Sequence, residues 1–244
     1  MSTQQQSHLG SRIAWKNAPT KRVDVGGKKW VYRQLGPDTG VPVIFLNHLA
    51  AELDRWDPRV VDGIATTRRV IVFDNEGIGA SQGKTPTSVE AMARDAVAFI
   101  KALGFAQVDL LGFSLGGFIS QVIAQEQPQL VRKIILAGTG PAGGTGIDKV
   151  TSVTIRDMVK ATLTFRHPEY YLFFTGTNNG RNAAREFLAR LHERTENREG
   201  GRIMDEVLSL WDLQDADEGI TDESQGGSDD CAHDRAHPGE GVRD

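Results

Sequence analysis

The chain has 244 residues, 39% hydrophobic and 25% charged, which suffices for one well-buried α/β domain with a modest insertion. Its single cysteine, Cys231, excludes an internal disulfide framework, and no apolar run approaches the roughly 18 residues of a membrane-spanning helix. The net charge of −4 is unevenly placed: residues 212–244 hold eleven Asp and Glu against two Arg, and the rest holds 26 basic and 21 acidic residues. So slight a basic excess, without interleaved aromatics, gives no footprint for nucleic acid.

The polar start, Met1 to Gly10, lacks the apolar core of a signal peptide, so a cytoplasmic location is expected. A flexible arm over residues 1–20 leads to two short alternating runs, Arg22–Val25 and Lys29–Arg33, split by Gly26-Gly27, which predict a hairpin. The text then alternates apolar strand and helix, as in a parallel sheet covered on both faces. Strands are expected near Val41–Leu46, Arg69–Phe73, Val108–Leu111 and Arg132–Ala137. Between the second and third, a helix over Ser88–Leu103 opens on Thr87-Ser88-Val89-Glu90, read as a capping box of Thr87 with Glu90, and stops at Gly104 in the C′ position.

The most informative motif is Gly112-Phe113-Ser114-Leu115-Gly116, a G-x-S-x-G between a strand-like run ending at Gly112 and a helix-like run over Leu115–Glu126. A sharp strand-to-helix turn would lift Ser114 clear of the sheet, and small neighbours let the backbone bend. The helix beyond it supplies free N–H groups and a positive dipole end where an oxyanion would form. Ser114 reads as a nucleophile.

After Ala137 the rhythm changes to a Gly-rich loop and helices over Thr151–Leu163, Pro168–Phe174, Arg181–Arg194 and Arg202–Trp211. The group Phe165, Tyr170, Tyr171, Leu172, Phe173 and Phe174 fits either a pocket lining or packing between helices. Beyond Trp211 the text is acidic, glycine-rich and without a buried-strand run, so disorder is expected over 212–244. The abrupt loss of patterning after Asn197 is read as a frameshift or truncation.

Three segments carry a family resemblance: the elbow; Asn47-His48-Leu49-Ala50 followed by Trp56-Asp57-Pro58; and Asp74-Asn75-Glu76-Gly77-Ile78-Gly79-Ala80-Ser81. Together they resemble the α/β-hydrolase superfamily, in its 3-oxoadipate enol-lactonase and cofactor-free haloperoxidase-like branch. The resemblance implies an α/β fold: a mostly parallel sheet with helices on both faces over residues 21–140, a helical cap over 141–211, and the last strands missing. It further implies a serine hydrolase acting on a small ester or lactone through an acyl-enzyme on Ser114, with the backbone N–H groups of Leu115 and Leu49 as oxyanion donors. Asn47, His48, Phe113 and Trp56 are the expected substrate contacts. Perhydrolysis by the same residues stays open.

The family's order of nucleophile, acid and histidine leaves His233 as the late base candidate, beside Asp229, Asp230 and Asp234. A disordered tail cannot pre-organise such a base, so the alternative is a hydrolase-like protein without a working triad. Asp74 is expected to brace the Gly77 and Gly79 turn by a side-chain bond to backbone, and Glu76, where many relatives carry Arg, to weaken the packing there. Neither a metal site nor a cofactor is implied: Gly77 and Gly79 are too sparse for a dinucleotide fingerprint, and no phosphate loop occurs.

Overall fold

In the computed structural model, which describes residues 14–141 and 144–194, Gly26 (φ 60°) and Gly27 (φ 86°) close the hairpin between β1 (Lys21–Val25) and β2 (Lys28–Leu35). Two consecutive positive φ values are what a twist-compatible two-residue turn demands, and glycine takes them without penalty. β2 runs two residues beyond Arg33 because Tyr32–Leu35 pair antiparallel with β4 (Val70–Phe73).

The remaining strands are parallel: β3 (Val43–Leu46) lies between β4 and β5 (Val108–Phe113), and β6 (Val131–Ala137) lies outside β5, giving the order β1-β2-β4-β3-β5-β6. Every residue of β3 and β4 is buried, as covering on both faces requires. On one face, Trp30, Phe73 and Phe99 stack against each other under α2 (Val89–Ala102) and α3 (Leu115–Glu126), with Phe73 and Phe99 centroids 4.2 Å apart. On the other, Trp15, Phe45, Trp56 and Val61 pack around α1 (Pro58–Ala65).

The start of α2 corrects the capping box. Ser88, not Thr87, is the N-cap, its hydroxyl accepting from the Ala91 N–H at 3.2 Å. With the helix starting one residue later, Ala91 occupies the third helical position and Glu90 cannot complete the box. The other end is as expected: Gly104 (φ 80°) donates to the Lys101 carbonyl and Phe105 to that of Ile100, a Schellman closure.

Two of the three described C-terminal helices begin earlier than their apolar spacing suggests, and the middle one begins at Pro168 as expected. α4 covers Ile147–Leu163, α5 Pro168–Leu172, and α6 Asn178–Leu191, the last capped by Thr177 bonding to the Gly180 N–H at 3.1 Å. Three side-chain anchors fasten this segment to the sheet domain. Arg190 grips Asp57, itself the N-cap of α1, through two bonds of 2.9 and 2.7 Å. Arg55 bonds His167 Nε2 at 2.9 Å, and His167 Nδ1 meets the Glu169 carboxylate. Arg194 donates to the Lys16 carbonyl at 3.0 Å.

β6 is one of the two edge strands among the described residues, and its successive residues Ile135 and Leu136 are both about half exposed. The expected helix over Arg202–Trp211 and the acidic tail with His233 lie outside the described residues.

Candidate functional site

Ser114 sits between β5 and α3 with φ 53° and ψ −114°, a conformation that a residue with a side chain holds only when its surroundings enforce it. The enforcing contacts are local. Ser114 N–H donates to the Ala137 carbonyl at 2.9 Å, and its carbonyl accepts from Gly117 N–H at 2.9 Å. A Cβ at Gly112 would strike the Gly116 carbonyl and the Ser120 hydroxyl, and one at Gly116 would strike the Leu46 carbonyl. The two glycines flanking Ser114 in the motif thus let α3 descend directly onto the ends of β5 and β3.

Leu115 opens α3, so by helix geometry its N–H has no intrahelical acceptor. Across from it runs the loop after β3. Asn47 is buried and braces this loop: its amide donates to the Glu52 carbonyl at 2.7 Å and its side-chain oxygen accepts from His48 N–H at 3.0 Å. Those bonds engage both polar ends of a residue expected to touch substrate. Ala50 takes φ 57°, and Leu49 is two-thirds exposed.

Asp74 pins the same loop from beneath, and more widely than the predicted turn bond. One carboxylate oxygen accepts from Leu53 N–H at 2.6 Å and the other from Ala80 N–H at 3.1 Å. Burial pushes this carboxyl up to about 8, opposed by the two amide donors. Glu76 corrects the expected weakening: it is buried and accepts from Lys28 Nζ at 2.5 Å and from Lys84 N–H at 3.2 Å. A charge reversal beside a lysine is compensated rather than disruptive.

His48 stands edge-on to two phenyl rings, Phe113 and Phe173, each with its centroid 5.4 Å away. Trp56 backs Phe113 at 6.0 Å and packs on Phe45 at 4.7 Å. Of the aromatic group read from the sequence, Phe173 is the member that reaches this cluster, while Phe174 packs on Phe187. Burial lowers the His48 imidazole to about 4, and Arg55 adds to the effect. Burial and then Arg55 lower His167 to about 3, in keeping with a neutral ring that accepts from Arg55 on Nε2.

The structure therefore brings Ser114, Leu115, Leu49, His48, Phe113 and Trp56 to one end of the parallel strands, the usual place for a site in an open α/β sheet. His233 lies outside the described residues, among which no acid or histidine is bonded to the Ser114 hydroxyl and no cluster of His, Cys, Asp and Glu is fit to hold a metal ion. No described helix is long and apolar enough to cross a membrane. The anchors Asp57–Arg190 and Arg55–His167–Glu169 were not read from the sequence.

Residues 41–174 match the model of the family described as alpha/beta hydrolase fold. An alpha/beta hydrolase fold protein from Chitinophaga pinensis superposes with a TM-score of 0.69 at 35% identity, over 80% of this chain and 72% of that one. Among curated proteins, the chain is 34% identical over 102 residues to the "Putative non-heme bromoperoxidase BpoC" of Mycobacterium tuberculosis, covering 41% of this chain and 39% of that protein. It is 30% identical over 117 residues to a non-heme chloroperoxidase of Streptomyces lividans, covering 47% and 42%. The matched part spans about two fifths of these curated relatives. With more than half its length matching the family model and its serine on the strand-to-helix turn, the chain belongs to the alpha/beta hydrolase fold family.

Proposed function

We propose that the chain is built as a serine hydrolase for a small ester or lactone, with Ser114 as nucleophile. The observation that carries this reading is the strained backbone of Ser114 at the head of α3 in a member of this family. In the reaction, Ser114 Oγ bonds to the substrate carbonyl carbon, its proton passes to a base, and the carbonyl oxygen becomes an oxyanion. The backbone N–H groups of Leu115 and Leu49 receive that charge. Collapse expels the alkoxide, which takes up a proton, and water then resolves the acyl-enzyme.

α4 to α6 are the described part of the cap expected over residues 141–211, with Phe173 as its contact to His48 and Phe113, and they would exclude water from the acyl-enzyme. His233 is the sequence's candidate for the base. A second reading keeps the pocket without turnover, and it is favoured by the Ser114 hydroxyl having no acid or histidine bonded to it among the described residues.

A fluorophosphonate probe separates the two. Labelling of one site per chain, lost in Ser114→Ala, is the expected result, because phosphonylation at neutral pH requires an activated hydroxyl. Folded protein that takes no label would leave the binding reading in its place.

A further inference from the structure

We propose that His48 selects the substrate: its Nε2 accepts a hydrogen bond from an O–H or N–H carried by the acyl part of the ester or lactone, so the preferred substrates are hydroxy- or amido-substituted rather than plain alkanoyl compounds. This rests on the Ser114 reading for the reaction and on independent geometry for the recognition.

The imidazole's tautomer follows from its contacts. Nδ1 lies 3.2 Å from the Leu49 carbonyl oxygen, and a carbonyl can only accept, so Nδ1 carries the proton. Nε2 of a neutral ring is then a bare acceptor. It is buried, and among the described residues nothing donates to it. Phe113 and Phe173, one preceding the nucleophile and one at the end of α5, pack edge-on against the ring and against each other, so it cannot swing out to find water without parting two aromatic contacts.

A buried acceptor without a donor is unfavourable, and the chemistry that relieves it is specific. A carboxylate or ether oxygen placed there would face lone pair against lone pair. A hydroxyl or amide N–H would complete the bond. The ring stays neutral at physiological pH, because burial holds it near 4, so it keeps the role of acceptor and does not become a donor. Its backbone partner, Leu49, is the residue whose own N–H is proposed to receive the oxyanion, and His48, Leu49 and Leu115 line one cavity.

The test uses 2- and 3-hydroxy-γ-butyrolactone with their methyl isosteres, titrated by calorimetry into full-length Ser114→Ala protein, where turnover through Ser114 is blocked. At least one hydroxylactone is expected to bind about tenfold more tightly than its isostere, with the preference abolished in His48→Phe. In histidine-labelled wild-type protein, the His48 Nε2 nitrogen resonance should move on adding that hydroxylactone and stay in place on adding the isostere. Equal affinity for each pair, binding of neither, or a preference that survives in His48→Phe overturns the proposal. Fluorophosphonate labelling is scored separately, so labelling without a hydroxyl preference removes the His48 assignment alone, and a preference without labelling removes the nucleophile alone.

Discussion

Gly116→Ala is expected to destabilise the protein by about 3 kcal/mol or more, enough to abolish a cooperative transition in a marginal fold. The added methyl would lie inside the Leu46 carbonyl oxygen and close to that of Asn47, which are backbone atoms and cannot rotate away. α3 must then lift off β3, and the lift opens the turn that holds Ser114. Gly63→Ala serves as the control. Gly63 lies within α1 with nothing near its added methyl, so the same change should stabilise by about 0.5–1 kcal/mol through lost freedom of the unfolded chain. Urea unfolding of both variants reads the contrast, and a Gly116→Ala effect within about 1 kcal/mol of wild type would show that α3 does not contact β3 this closely.

The second large effect appears on acidification. His48 is lowered in the folded protein to about 4 from an ordinary 6.5, so its contribution to stability is fully present above 6.5 and is lost as pH falls toward 4. Between pH 7.5 and pH 5 that amounts to about 2 kcal/mol. Asp74 slopes the other way: raised to about 8, it contributes stability that is fully present below its unfolded value near 4 and is lost as pH rises through 8. The two partly cancel in the wild-type profile, so the quantity to measure is the difference between wild type and His48→Phe. That variant should unfold with a pH dependence flatter on the acid side by about 2 kcal/mol over the stated interval. Parallel profiles would mean that His48 is solvated and titrates normally.

What could be read from the residues was local. The elbow announces itself because a nucleophile turn needs small residues at fixed positions, and Gly112 and Gly116 meet atoms only a few residues away or on the adjoining strand. The hairpin was legible for the same reason at Gly26-Gly27. The first turn of α2 went one residue astray because Thr87 and Ser88 are both hydroxyl caps, and the choice depends on tertiary placement rather than spacing. The start of α6 hides in Asn178-Asn179-Gly180, which carries no apolar signal.

The anchors were invisible for another reason. Lys28 and Glu76 are 48 residues apart, Arg55 and His167 are 112 apart, and Asp57 and Arg190 are 133 apart. No window of sequence contains both partners. Arg33 is similar: a fully buried guanidinium gripped by Asp54 at 2.5 and 3.0 Å and stacked on Trp15 would look on the page like one more strand charge.

The short stretch from Asn47 to Asp57 holds the proposed oxyanion donor at one end and two anchors for the distal helices at the other. Inheritance at these places is therefore joined: a change at Arg190 is a change for Asp57, and one at Glu169 is felt by Arg55 through His167. Variants that exchange one helix for that of a relative should fail singly and recover when the matching loop residue travels with it. The distal helices and the loop form one unit of heredity, although more than a hundred residues of chain separate them.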